Sequence, residues 1–385
     1  MTAVSPMLEL TDLILEVGGE DLQRCMQCGT CTGVCPWPRV KQFSPRQVIR
    51  FMSFGFEGYE EEDLWNCVTC NTCVTRCPRN IDLIEVMRAG RAVMLESGSY
   101  PRSLSGPLAS LRTQGNPWDG ERDNRYAWVG EAQLPEYGPD KDYLFFSCCT
   151  QSYDPRNRRV AQAMLSVLRN ADVRFGTLGP AESCCGDQAR KVGAQDLFEE
   201  LKSQNVALFE QYDVHDVIVA SPHCLQALNR DYAPERTLQA VHYARLFRDL
   251  VTDGRIALTT PVEAKVTYHD PCYLGRHAGE YEAPRELLRA IPGLTLLEMP
   301  RNRERSLCCG GGGGGLWLDV PNDERFSVLR VQEALDTGAE VIATACPYCT
   351  AMLEDAIKTL DAEDSIRVLD VAELVAQSMS TEAGQ

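Results

Sequence analysis

The stretch Cys25-Met-Gln-Cys28-Gly-Thr-Cys31-Thr-Gly-Val-Cys35-Pro36 decides how the first part of this chain folds. The same spacing returns in Cys67-Val-Thr-Cys70-Asn-Thr-Cys73-Val-Thr-Arg-Cys77-Pro78. Thiolates are soft ligands that hold iron, and short gaps between them let one tight loop present three to a single cluster. Each run therefore predicts a cubane [4Fe-4S] cluster.

The ligands of these two clusters are expected to cross between the runs. In two-cluster ferredoxins the fourth cysteine of each run ligates the other cluster. This rule predicts one ligand set of Cys25, Cys28, Cys31 and Cys77, and a second set of Cys67, Cys70, Cys73 and Cys35. Zinc also takes four thiolates, but two copies of this spacing, each followed by proline, favour iron and sulfur.

The composition indicates a globular protein with reduced cysteines. The 385 residues are 44% hydrophobic and 24% charged, and they include 18 cysteines in tight groups. No secretory leader precedes these groups, which favours metal binding over disulfides and a cytoplasmic location. No apolar run of about 18 residues is present, so we expect no membrane span of its own, and any membrane association through a partner.

The net charge of -17 argues against nucleic acid as a partner, because binding phosphate requires clustered lysine and arginine. Two short basic stretches, Arg156 to Arg159 and Arg301 to Arg305, are interpreted as solvated faces, with docking of an acidic partner as the alternative.

The chain divides into four parts. Residues 1–100 carry the two cysteine runs with helical patterning between them, and residues 101–140 form a linker rich in proline and glycine. The linker is predicted to wrap in an ordered way, with Trp118, Tyr126 and Trp128 packed on a neighbour. Residues 141–258 and 259–385 are two copies of one module, because Cys149 and Cys272 begin matching series of motifs.

Each module alternates apolar strands with helices, which predicts a parallel sheet with helical crossovers. Three strands are predicted in each: DYLFFS, DVRFGTL and DVIVAS in the first, and KVTYH, LTLLEM and EVIATA in the second. The cysteines follow these strands, and the carboxyl ends of parallel strands share one edge of the sheet. The sequence therefore predicts that the cysteines of each module converge at that edge.

In the second module five cysteines exceed the four that a simple cubane needs. They are Cys272, Cys308, Cys309, Cys346 and Cys349. A glycine run, Gly310 to Gly315, follows directly, and the bare backbone of Gly310 and Gly311 is predicted to approach a bulky ligand rather than to form a flexible linker. His269 is left open between a proton carrier and an ordinary packed residue.

The first module lacks one of these cysteines, because Ser221 stands where Cys346 stands in the second. Cys148 is an additional thiol beside Cys149. The alternatives of a cluster in altered form and a remnant with reduced thiols stay open for this module. Its candidate ligands are Cys149, Cys184, Cys185 and Cys224, with Cys148 beside them.

Several motifs carry a resemblance to the heterodisulfide reductase family. The insert SPRQVIRFMSFGFEGYEEEDLW resembles the α-helical ferredoxin domains of that enzyme and of succinate dehydrogenase. HDPCYLGRH, CCGGGGGG and ACPYC resemble its cysteine-rich CCG domain. The resemblance implies a noncubane [4Fe-4S] cluster at the second module, where a disulfide is cleaved in one-electron steps.

Two functions are therefore expected. The first is an oxidoreductase subunit that passes electrons through two cubanes to disulfide or dithiol chemistry. The alternative is pure electron relay toward membrane quinone, since the GNPWDGERDNRYAW linker resembles iron–sulfur subunits of glycerol-3-phosphate and lactate dehydrogenases. Either function implies a hetero-oligomeric complex with a flavoprotein, a cytochrome b or a thiol carrier. The chain lacks a dinucleotide-binding glycine fingerprint of its own.

Overall fold

The computed structural model describes residues 6–60, 63–130, 134–233 and 238–379. Residues 131–133 of the predicted linker and residues 380–385 of the last predicted domain lie outside the described residues. Within the described ranges, none of the helices combines the length and the apolar character needed to cross a bilayer.

The cysteine runs lie in a helical domain. Ser44 caps one helix, accepting a hydrogen bond from the backbone N–H of Gln47, and this helix buries Val48, Ile49 and Met52 as its spacing predicts. Asp82 caps the longest helix through the N–H groups that follow it. The helices are α1 (Leu8–Glu16), α2 (Thr30–Val34), α3 (Pro45–Phe54) and α4 (Leu83–Glu96).

The predicted linker is ordered where it is described, as expected. It contains α5 (Ser105–Gln114), followed by a loop that the Asn116 side chain closes by donating to the Gly120 carbonyl at 2.7 Å. Trp128 is buried, and Trp118 packs edge-on against Trp317 of the second module at 6.5 Å between ring centroids. The aromatic residues of this segment therefore fasten it to its neighbours.

Each module is a parallel four-stranded sheet with helices around it, as the alternation predicts. The orders β2-β1-β3-β4 and β6-β5-β7-β8 are the same arrangement repeated. The strands are β1 (Tyr143–Phe146), β2 (Phe175–Gly176), β3 (Asp216–Val219), β4 (Gln239–His242), β5 (Ala264–Tyr268), β6 (Leu294–Leu297), β7 (Val341–Thr344) and β8 (Arg367–Asp370).

The fourth strand of each sheet was not expected. β4 and β8 lie at sheet edges and mix exposed with buried residues, so they lack the continuous apolar run that marks the inner strands.

The helices of the first module are α6 (Cys149–Tyr153), α7 (Pro155–Asn170), α8 (Asp187–Lys191), α9 (Gln195–Gln211), α10 (Pro222–Gln226) and α11 (Tyr243–Thr252). Those of the second are α12 (Ala283–Ala290), α13 (Phe326–Asp336), α14 (Pro347–Thr359) and α15 (Val371–Ser378).

The two modules pack reciprocally, α7 against α15 and α11 against α12. Arg156 at the start of α7 binds Glu354 at 2.5 Å and Glu373 at 2.8 Å, both in the second module. Arg303 binds Glu282 at 2.8 Å within the second module, where both side chains are partly exposed. The interpretation of the basic stretches as solvated faces is therefore wrong for Arg156, whose partners belong to the other module.

Arg91 of α4 joins the helical domain to both modules. Its guanidinium is fully buried and donates to the carbonyl of Cys67 at 2.7 Å, of Lys191 at 3.0 Å and of Gly313 at 3.0 Å. It also donates to the carbonyls of Leu64 and Trp65. A buried charge is tolerated only when its hydrogen bonds are made, so this set of acceptors fixes the relative positions of three parts of the chain.

Replacing Arg91 with Met should loosen this junction, because it leaves several buried carbonyls without donors. We expect the free energy of local opening to fall by about 3 kcal/mol in residues 64–71 and 310–315. Hydrogen exchange at those amides would then be about a hundredfold faster. The control is Arg112→Met, which removes an exposed arginine of α5. Equal exchange in the two variants would contradict the role of Arg91.

Candidate iron–sulfur sites

The first predicted ligand set lines one cavity of the helical domain. Cys25, Cys28 and Cys31 lie on one loop, and Cys77 reaches them from the second run. The loop turns tightly, with Gln27 and Gly29 at positive φ angles of 58° and 85°. Cys28 is exposed, so this cavity lies at the protein surface.

The second set lines another cavity, which is more deeply placed. Cys35 of the first run joins Cys67, Cys70 and Cys73, and Cys70 is buried. The structure thus brings the thiols together in the crossed arrangement that the spacing predicts. That each set ligates a cluster stays a prediction.

These thiols fit an iron–sulfur cluster better than a free-thiol state. All 18 cysteines lie in the described ranges, and each is a free thiol there rather than half of a disulfide. Burial raises the pKa of Cys35, and burial together with the Cys67 sulfur raises the pKa of Cys73. Thiolates in such places require a compensating cation, which the iron of a cluster would supply.

The loop of the second run is locked to the turn that follows Cys272. Tyr273 Oη and Thr69 Oγ1 are hydrogen-bonded at 2.8 Å, and Arg276 Nε donates to the Cys70 carbonyl at 2.6 Å. His277 Nε2 is also hydrogen-bonded to the Thr69 carbonyl at 2.9 Å. The deeper cavity of the helical domain therefore adjoins the second module's cysteines.

All five predicted cysteines of the second module are buried and lie together. Cys272 and Cys308 are 3.9 Å apart between sulfurs, and Cys309 and Cys349 are 3.3 Å apart. Cys346 interacts with Cys349 and stands immediately before α14, whose first residue is proline. The carboxyl edge of the sheet gathers these residues as the strand order predicts.

His269 completes this group. Arg330 Nε donates to its Nδ1 at 3.0 Å, so the ring proton belongs on Nε2, which is buried and has no hydrogen-bond partner among the described residues. One ring nitrogen of His269 and the sulfurs of Cys309 and Cys349 lie within 4.8 Å of one another. An orphaned buried donor beside thiols fits a site that holds an additional sulfur-rich group.

The glycine run is packed, not flexible. Gly310 N–H donates to Cys308 Sγ at 3.4 Å, and a Cβ on Gly311 would lie 3.8 Å from Cys309 Sγ. A Cβ on Gly312 would lie 2.5 Å from the Val68 carbonyl oxygen, which no side chain tolerates. The first two glycines therefore border the thiols, while the later ones admit the loop of the helical domain.

The first module also assembles five thiols, despite Ser221. Cys148, Cys149, Cys184, Cys185 and Cys224 are all buried. The Cys224 thiol lowers the pKa of Cys148, and the Cys184 thiol raises the pKa of Cys149. Cys148 is thus a fifth thiol in a module that has serine at position 221, and whether these residues bind a cluster stays open.

Arg125 and Ser221 have distinct roles beside these thiols. Arg125, in the predicted linker, donates to Cys149 Sγ at 3.4 Å. Ser221 caps α10 by accepting from the His223 N–H at 3.3 Å. A guanidinium against a sulfur stabilises thiolate charge, so the first site is electrostatically different from the second.

One histidine of the first module reaches the second site. His223 Nδ1 is hydrogen-bonded to Asp187 at 2.8 Å, and its ring stacks on Tyr273 at 3.7 Å between centroids. It also interacts with the Cys346 thiol. Sequence reasoning missed this residue, and its only signal is its position inside Ser221-Pro-His-Cys224.

An apolar cavity leads to Cys309 from the side of the helical domain. Trp37, Trp65, Leu316 and Phe326 belong to its lining. Its outer part is bounded by the ion pair of Arg325 with the exposed Asp355. The cavity gives a small apolar molecule a route toward the second-module thiols.

Comparison with protein families agrees with this arrangement. Residues 21–81 match the 4Fe-4S dicluster domain, and residues 143–229 and 266–354 match the Cysteine-rich domain called CCG.

Individual relatives cover different shares of the chain. One subunit of the dihydromethanophenazine:CoB--CoM heterodisulfide reductase of Methanosarcina barkeri is 31% identical over 93% of this chain and 94% of its own length. The EtfAB:quinone oxidoreductase of Syntrophomonas wolfei is 35% identical over 77% of this chain. The chain spans only 42%, 43% and 59% of the length of three longer curated relatives.

A solved structure shares the fold. A hypothetical protein from Helicobacter pylori aligns with a TM-score of 0.56 at 10% sequence identity, covering 97% of this chain and 77% of that one.

The crossed ligand sets predict that two substitutions affect different clusters. A paramagnetic relaxing ion in solution should broaden the signal of the surface cluster, which it can approach at Cys28, and should leave the signal of the deeper cluster unchanged. Cys77→Ala should disturb the signal that the ion broadens, and Cys35→Ala should disturb the shielded signal. Each variant should lose up to about four iron atoms per chain. The reverse assignment, with Cys77→Ala changing the shielded signal, would overturn the crossed arrangement.

Proposed function

The chain belongs to a family of heterodisulfide reductase subunits, and from this premise we propose that it carries electrons through its helical domain to thiol–disulfide chemistry at the second module. It is an iron–sulfur oxidoreductase subunit with a 4Fe-4S dicluster domain and two cysteine-rich domains. The finer assignment supposes two cubane clusters and one noncubane [4Fe-4S] cluster. The hydrogen bonds between Tyr273 and Thr69 and from Arg276 to the Cys70 carbonyl carry the proposal, because they join the deeper cavity to the turn that follows Cys272.

Three groups of cysteines would hold the three clusters. Cys25, Cys28, Cys31 and Cys77 would hold the surface cluster, and Cys67, Cys70, Cys73 and Cys35 the deeper one. Cys272, Cys308, Cys309, Cys346 and Cys349 would hold the third, with Gly310 and Gly311 beside it. Such clusters supply one-electron transfer, and a noncubane cluster supplies a place where disulfide sulfur is cleaved.

Reduction of a disulfide consumes two electrons and two protons and yields two thiols. His269 can hold a proton at Nε2 beside Cys309 and Cys349, while Arg330 fixes its tautomer. The apolar cavity beside Cys309 would admit the disulfide and exclude bulk water. These residues therefore supply access and a hydrogen-bond donor next to the thiols, and the two protons that the reduction consumes come from the solvent.

Electron relay is the second candidate function. Its support is the similarity to a protein named EtfAB:quinone oxidoreductase, which covers 77% of this chain. In that case the second module would hand electrons to another redox subunit. We also propose that the partner is a flavoprotein, a cytochrome b or a thiol carrier. The proposed location is cytoplasmic, with membrane association through that partner.

Iron content tests the third cluster. We expect anaerobically purified protein to carry well above about eight iron atoms per chain, the content of two cubanes. Cys309→Ala should remove a separate paramagnetic signal and leave the two cubane signals. The matched variant is Cys185→Ala at the corresponding position of the first module, and it should keep the signal. Iron that stops at about eight, with no third signal, would leave the third cluster without support.

Blocking the apolar cavity separates the two functions. Val320→Trp adds an aromatic ring to its lining, so we expect disulfide turnover with a small disulfide to fall about tenfold or more, with cluster reduction by dithionite unchanged. Val17→Trp, at the exposed residue that directly follows α1, is the control. Absence of disulfide turnover in the unaltered protein with all clusters present would favour relay instead.

A further inference from the structure

The surface around the first cluster cavity is cationic, although the whole chain has a net charge of -17. Five exposed arginines come from the segments that form this cavity. They are Arg24, Arg46, Arg50, Arg76 and Arg79. Arg46 and Arg79 line the cavity itself.

The sequence positions of the other arginines place them on the same surface. Arg50 follows Arg46 by one turn of α3, so the two share a helix face. Arg24 donates to the Arg79 carbonyl at 3.0 Å, which brings the segments before Cys25 and after Cys77 together. Arg76 directly precedes Cys77.

This positive charge is not neutralised locally. Among the residues that the structure describes, Arg46, Arg50, Arg76 and Arg79 form no ion pair, and only Arg24 binds a carboxylate, Asp21 at 2.5 Å. The carboxylate of the nearby Asp82 contacts other groups. It caps α4 and pairs with Arg230 of the first module at 3.5 Å. Glu20 is the remaining carboxylate of this segment, so the surface keeps a positive balance.

The centre of the same surface consists of an exposed methionine and an exposed thiol of the first ligand set. Met26 is 56% exposed, and Cys28 beside it is exposed too. Protein interfaces are enriched in Met and Arg, and complementary charge raises the rate of encounter rather than the final affinity. An electron partner must approach this thiol set closely, so a charged rim around it serves to guide that partner.

We infer that this surface, defined by Met26, Cys28 and the five arginines, is the docking site of an electron-carrier protein with an acidic rim around its own redox centre. The inference rests on the proposed function only in that the first cavity holds a cluster. A lipid headgroup would satisfy the arginines equally, but a bilayer laid over Cys28 would shield the cluster from its partner. A second copy of this acidic chain is the other competing occupant.

The test is stopped-flow reduction of the anaerobic full-length protein by a reduced acidic flavodoxin. The rate is measured from the bleaching of the iron–sulfur absorption. The rate should fall steeply as salt is added. The variant Arg50→Glu/Arg76→Glu should lower the second-order rate about tenfold or more at low salt. Arg50→Lys/Arg76→Lys keeps the charge and should keep most of the rate.

The matched control is Lys358→Glu/Arg367→Glu, which makes the same charge change on exposed residues of the second module. It should change the rate less than about twofold. Dithionite should reduce all these variants alike, and their iron content should be equal. This readout needs no disulfide, so loss of the thiol–disulfide function would leave it intact.

Three results would overturn the inference. One is an equal rate for the two charge-reversed variants. Another is arginine-dependent binding to vesicles of anionic phospholipid with electron transfer unchanged, which would assign the surface to membrane. The third is a dimer in sedimentation that Arg50→Glu/Arg76→Glu dissociates while the transfer rate stays the same.

Discussion

The fully buried guanidinium of Arg91 is the constraint on which the arrangement of the parts depends. A charge without water must have its donors satisfied, and here the acceptors are backbone carbonyls of the helical domain and of both modules. The Cys67 loop and the glycine run are thereby held against each other. Only glycine allows that approach, since a Cβ on Gly313 would lie 2.5 Å from the Cys67 carbonyl oxygen. The Cys70 loop is thereby placed against the turn that follows Cys272.

The sequence predicts most of what is local. Two cysteine runs with crossed fourth members, the duplication, the inner parallel strands and the convergence of cysteines at one sheet edge all follow from spacing and periodicity. The edge strands β4 and β8 do not, because a half-exposed strand lacks an apolar run. The sequence also does not predict contacts between distant segments of the chain. Nothing in the sequence around Arg156 marks Glu354 and Glu373 as its partners.

The duplication produces two thiol groups that are related in position but different in surroundings. The first has Arg125 against Cys149 and takes its fifth thiol from Cys148. The second has an uncompensated His269 donor and an apolar approach to Cys309. The first module also contributes His223, oriented by Asp187, to the surroundings of Cys346. The two copies therefore surround their thiols with different side chains, although the same strand order positions both groups.

The proposed function depends above all on an iron–sulfur cluster in the second module, next to the deeper cluster of the helical domain. Anomalous diffraction at the iron edge, from crystals grown without oxygen, tests this most directly. We expect iron peaks in the two cavities of the helical domain and a further iron peak among Cys272, Cys308, Cys309, Cys346 and Cys349. Zinc at that third position, or no metal there in crystals whose other two sites are full, would contradict it.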